Sequence, residues 1–139
     1  KYMGDCIMAF WNAPLDCKNH AEMAVLSAIQ IEVKTNELKE LYAERGLPDI
    51  NVGTGVNTGT CIVGNMGSET RFDYSVIGDA VNLAARLEAK AARHELVEYK
   101  TVISSMTADQ LPDSYRLKEI GDINVKGKVD VIKIFSPRL

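Results

Sequence analysis

Arg71 to Glu88 reads RFDYSVIGDAVNLAARLE, and two kinds of periodicity meet inside it. Phe72 to Val76 has the composition of a short strand, and Ile77-Gly78-Asp79 then turns the chain. Beyond the turn, Val81, Leu83, Ala84, Ala85 and Leu87 recur as the apolar members of a helix. Asn82 and Arg86 are four residues apart on that helix, so they project side by side from one face. An amide beside a guanidinium can orient a polar ligand and hold a phosphoryl oxygen. The same pair also suits an ordinary solvated helix surface.

Working outward, Lys1 to Trp11 predicts two short strands around Gly4-Asp5, a dipeptide that favours a tight hairpin. Asp5 would then stand at the tip, where a lone carboxylate is ordinarily a turn former. Pro14 ends this segment. Helical periodicity runs from about Asn19 to Arg45, carried by Ala21, Val25, Ala28, Ile29, Ile31, Leu38, Leu41 and Tyr42, with Gly46 and Pro48 as stop signals. Ile50 to Val63 alternates like strand and predicts a second hairpin turning at Asn57-Thr58-Gly59. Gly64 to Thr70 reads as a loop. After the central stretch come a strand at Thr101 to Ser104, a short helix near Ala108, and strands near Tyr115 to Ile120 and Val129 to Phe135. Hairpins mixed with separate helices predict an α+β fold, one domain over residues 1–139, with the sheet covered on one face by helices.

Composition narrows the function. The chain has 139 residues, 46% hydrophobic and 25% charged, as expected of a single folded domain with a real core. A net charge of −3 gives no global footprint for nucleic acid or an anionic membrane, so any anion must be held by local basic residues. Cys6, Cys17 and Cys61 are odd in number and lack CxxC spacing, which fits reduced thiols in a cytosolic setting. His20 and His94 do not form a zinc-ligand spacing. The longest apolar run, Ile7 to Trp11, is far short of a membrane span, so no direct membrane contact is expected. The chain opens at Lys1 without an initiator Met, as a piece of something longer would.

Two phosphate-loop look-alikes fail. Gly53 to Gly59 carries one residue too many for GxGxxG and reads into strand rather than helix. Gly121 to Lys128 is one residue too long for a Walker loop and continues to Val129 where Ser or Thr is required. Asn124-Val125-Lys126-Gly127-Lys128 does place two lysines around a glycine, suited to a terminal phosphate chain or to a solvated turn.

Together these stretches, above all KYMGDCIMAFWNAP (1–14) and DYSVIGDAVNLAARLE (73–88), resemble the class III adenylyl and guanylyl cyclases across nearly the whole chain. The resemblance implies a ferredoxin-like βαββαβ fold with added strands, and head-to-tail dimers (homodimer or paired cyclase domain) that share each active site. It implies that Asp5 is one of two metal-binding aspartates, which in the intact domain hold two Mg2+ or Mn2+ ions. Lys1 and Ser75 fall where the family reads the purine, Asn82 where it orients the ribose, and Arg86 where it stabilises the transition state. Lys126, with Lys128 beside it, falls where the terminal phosphates are held.

The family's other metal aspartate belongs to a strand and loop N-terminal to everything here, together with further helices. On that reading the chain is N-terminally truncated, and residues 1–139 alone should turn over substrate weakly or not at all. The base-reading pair also has a chemical logic. Adenine offers an acceptor at N1 and a donor at N6; a lysine ammonium only donates and a serine hydroxyl can accept. Guanine reverses that polarity, so ATP is the expected substrate and 3′,5′-cyclic AMP the product. A guanylate cyclase, a catalytically silent nucleotide-binding regulatory domain and a pure dimerisation module are the alternatives.

Overall fold

The computed structural model describes residues 1–92, 99–124 and 130–139. The N-terminal segment folds as foreseen: β1 (Tyr2–Met3) and β2 (Cys6–Ile7) pair antiparallel with Met3 opposite Cys6. Two residues connect them, and Gly4 takes φ 62°, as a two-residue turn with glycine first requires.

Helix α1 (His20–Glu44) has 25 residues and closes on a Schellman motif. The Gly46 N–H donates to Ala43 O and the Leu47 N–H to Tyr42 O, with Gly46 at φ 67°. Only its first half is built into the core, through Ala21, Ala24, Val25 and Ala28. Ile31, Leu38 and Leu41, which continue the apolar stripe, stay exposed. A helix of this length spans roughly 37 Å, and it outruns the strands of three to nine residues beneath it.

The remaining elements are β3 (Thr54–Val56), β4 (Ile62–Asn65), β5 (Tyr74–Ile77), α2 (Asp79–Ala92), β6 (Thr101–Ser104), α3 (Ser105–Ala108), β7 (Arg116–Asn124) and β8 (Val131–Arg138). Four of the strands form a mixed sheet in the order β3-β6-β8-β7, in which β3 and β6 are parallel and the other neighbours antiparallel. The chain is therefore α+β, as its sequence predicts.

The expected hairpin across Ile50 to Val63 is not formed. Strand β3 pairs with β6, Thr54 opposite Thr101, while β4 pairs with β5, Ile62 opposite Ile77. The chain leaves the sheet at Asn57, whose Nδ2 donates to Ala80 O at 2.9 Å and whose Oδ1 accepts from Ser104 Oγ at 2.6 Å. Asn57 is thus a clasp between β3, α2 and β6 rather than a turn residue.

The helices also do not share one face. Consecutive residues of β6 point to opposite sides: Ile103 joins Val25, Ala28 and Val56 under α1, whereas Val102 joins Leu83, Leu87, Ala91 and Ile134 under α2. The single-face expectation came from hairpin counting, which carries no information on which side a crossover helix lands. Gly53 and Gly55 lie on the α2 side, so close that a Cβ on Gly55 would sit 2.5 Å from the Ala84 carbonyl oxygen. The glycines of the failed phosphate loop are packing residues that let α2 lie directly on β3.

Tyr115 closes the α1 side and its hydroxyl donates to Glu22 Oε1 at 3.2 Å. Burial, and then the neighbouring Glu22 carboxylate, push this phenol above its usual range. A raised folded value means the native state holds that proton more tightly than the unfolded chain. The contribution is fully present below about pH 10 and is lost as pH rises through the folded value. Urea midpoints measured from pH 8 to 11 should fall at the alkaline end, and Tyr115→Phe should flatten that fall.

Candidate active site

Strand β5 and helix α2 set the geometry, because residues 74–92 run from one into the other with only Gly78 between them. Leu83, Leu87 and Ala91 are buried against the sheet. Asn82 and Arg86 precede two of them by one residue, which rotates their stripe away from the buried face. Asn82 is exposed and Arg86 half-buried. Neither side chain has a hydrogen-bond or ion-pair partner among the described residues, so both remain available to a ligand.

Ser75 lies on β5 opposite Gly64 and is only 3% exposed, so a base would have to sit directly against the strand to reach it. Lys1 is brought to the same strand. Its backbone nitrogen donates to Met8 O at 2.7 Å and the Met8 N–H donates back to Lys1 O at 2.8 Å, extending the β1–β2 ladder by one pair. Its Nζ donates to Asp73 Oδ2 at 2.9 Å. Asp73 immediately precedes β5 and stands two residues before Ser75 in the chain. The Phe10 and Tyr74 rings, 5.8 Å apart, add a second link between the N-terminal segment and β5.

Asp73 lies within Arg71 to Glu88, and the sequence pattern alone assigns it no role. The available signal was its two-residue spacing from Ser75; its pairing with Lys1, 72 positions away, was invisible. Asp5 stands exposed at the β1–β2 turn, where its carboxylate has no partner among the described residues. Lys126 and Lys128 lie outside the described residues. Cys6, Cys17 and Cys61 are free thiols, and burial pushes the Cys61 thiol up, which disfavours its reactive thiolate. Among the described residues, no helix is long and apolar enough to cross a membrane.

The model of the adenylate and guanylate cyclase catalytic domain matches residues 1–136. The chain belongs to this family. It is 31% identical to adenylate cyclase 1 of Rhizobium meliloti (strain 1021), over 98% of this chain and 20% of that protein. It is 35% identical to an adenylate cyclase of Anabaena cylindrica, over 98% of this chain and 27% of that protein. The cyclase chain thus spans about a fifth to a quarter of the length of these curated relatives.

Among solved structures it resembles the guanylyl cyclase Cya2, with a TM-score of 0.84 and 29% identity over 99% of this chain and 67% of that one. It resembles the adenylyl cyclase CyaB from P. aeruginosa with a TM-score of 0.83 and 32% identity, over 99% of this chain and 69% of that one. The mixed sheet flanked by α1 and α2 is therefore a cyclase catalytic-domain fold.

Proposed function

We propose that this cyclase domain converts ATP to 3′,5′-cyclic AMP and pyrophosphate at a site shared between two cyclase domains. The observation that carries the reading is Lys1, its ammonium held at the start of the strand that presents Ser75 and leads through Gly78 into the helix of Asn82 and Arg86. The lysine donates to adenine N1 and the serine oxygen accepts from the N6 amino group. A guanine in that seat would set donor against donor, which costs on the order of 1–3 kcal/mol per unpaired group. Adenylate cyclases among the relatives agree with that preference.

The reaction forms a bond from the ribose 3′-oxygen to the α-phosphorus and breaks the bond from that phosphorus to the β-bridging oxygen. The hydroxyl proton passes to solvent and pyrophosphate leaves. Asn82 orients the ribose so that the attacking and leaving oxygens are in line, an effect of positioning. Arg86 donates to the phosphoryl oxygens on which charge builds. Lys126, with Lys128, neutralises the terminal phosphates.

Asp5 offers one exposed hard-oxygen donor, and Mg2+ or Mn2+ is commonly held by one or two carboxylates plus substrate phosphates. It fits one side of such a site; no three His, Cys, Asp or Glu residues cluster among the described residues. A divalent ion bound there supplies charge neutralisation at the phosphates and a more acidic 3′-hydroxyl.

A second copy or a paired cyclase domain is the partner that this reading requires. Its support is the apolar surface left on both hairpins: Tyr2 is 84% exposed and Phe72 77%, with Ile7 and Ile62 also exposed. Exposed apolar surface of that kind marks an interface. Incubating the intact protein with manganese and either ATP or GTP tests the reading: cyclic AMP should be the main product. Cyclic GMP as the main product would overturn the base assignment, and nucleotide binding without product would favour a regulatory domain.

A further inference from the structure

We infer that Asp73 is a positioning residue for adenine recognition, acting through Lys1; the inference rests on the base-reading role proposed for that lysine. A lysine side chain has four rotatable bonds and no intrinsic preference for one direction, so an ammonium that must meet a ring nitrogen needs an anchor. The Asp73 carboxylate takes one of its three donors at 2.9 Å. Two donors remain, one of which can be aimed at the base.

The anchor itself stands on fixed backbone. The Asp73 N–H donates to Asn65 Oδ1 at 2.9 Å, and the Asp73 carbonyl accepts from the Met66 N–H at 2.7 Å. Asn65 Oδ1 also accepts from the Gly67 N–H at 3.0 Å, so one amide side chain pins both ends of the turn that joins β4 to β5. Lys1 is held just as firmly by its ladder with Met8. Two rigid hairpins are thereby joined by one ion pair, whose carboxylate stands two residues before Ser75 in the chain.

Both side chains are about one-third exposed, at 33% and 37%. An ion pair this open contributes little to stability. Its value is directional: loss of the carboxylate should loosen substrate binding and base discrimination and leave the chemical step alone.

The test is steady-state kinetics of the intact protein with ATP and with GTP, for Asp73→Asn, Asp73→Glu, Lys1→Ala and the Lys1→Ala/Asp73→Asn double variant. Asp73→Asn should raise KM for ATP about fivefold, hold kcat within about twofold and narrow the preference for ATP over GTP. Asp73→Glu should recover most of the preference, and Asp73→Asn should add nothing once Lys1 is alanine. Wild-type KM and preference in Asp73→Asn would overturn the inference, as would an undiminished Asp73→Asn effect in the Lys1→Ala background. Full ATP preference in Lys1→Ala would instead overturn the base-reading role itself, and the inference with it.

Discussion

Replacing Arg86 with alanine is expected to lower kcat about a hundredfold or more, with the fold intact. Preorganised donors aimed at developing oxyanion charge are worth roughly 10²–10³ in rate when removed singly. Arg86 stands half-buried on α2, with no ion pair to any described residue that its loss would break. The unfolding midpoint should therefore move little, and KM for ATP should change less than kcat, because charge at phosphorus grows only towards the transition state. Arg86→Lys should recover only part of the rate, since an ammonium keeps the charge but loses the planar fork. Single-turnover rates with ATP and manganese would check this, and a kcat within about threefold of wild type would remove Arg86 from the catalytic assignment.

The largest expected loss of stability comes from Gly55→Ala. The added methyl would meet the Glu88 nitrogen, the Ala84 carbonyl oxygen and, at 2.8 Å, the Leu87 carbonyl carbon. All three are backbone atoms of α2, so no side chain can rotate away and the helix must lift from β3. Overpacking typically costs 1–3 kcal/mol, and an obstruction made of backbone belongs at or above about 3 kcal/mol. Because α2 carries Asn82 and Arg86, catalysis should fall with stability. Gly64→Ala is the matched control, since a Cβ there meets nothing within 4 Å. Its unfolding free energy should change by less than about 1 kcal/mol, the usual size of the unfolded-chain effect. Equal midpoints for the two variants in urea melts would refute the close-packing account.

Much of the local structure was legible because its causes are local. The α1 boundaries follow from apolar spacing and from Gly46, and the β1–β2 turn from Gly4-Asp5. The passage from β5 into α2 shows as a change of period at Gly78. Strand β6 lies where its β-branched run placed it, at Thr101–Ser104. What failed was pairing. Thr54–Val56 has Ile62–Asn65 as a near neighbour in sequence, yet its partner is β6, 47 positions away at Val56 and Ile103. The alternation that marks a strand is the same whichever neighbour it joins.

The sequence by itself determined the family and the α+β class, and it singled out Lys1, Ser75, Asn82 and Arg86 as the side chains that the proposed site would use. Helix spacing alone set Asn82 beside Arg86, because four residues make about one turn. Only the tertiary structure decided that α1 and α2 cover opposite faces, that Asn57 is a clasp, and that Asp73 holds Lys1 across 72 residues of chain. The reason is physical: dihedral preference and periodicity act over a few residues, whereas face and partner are settled when distant apolar surfaces are buried together.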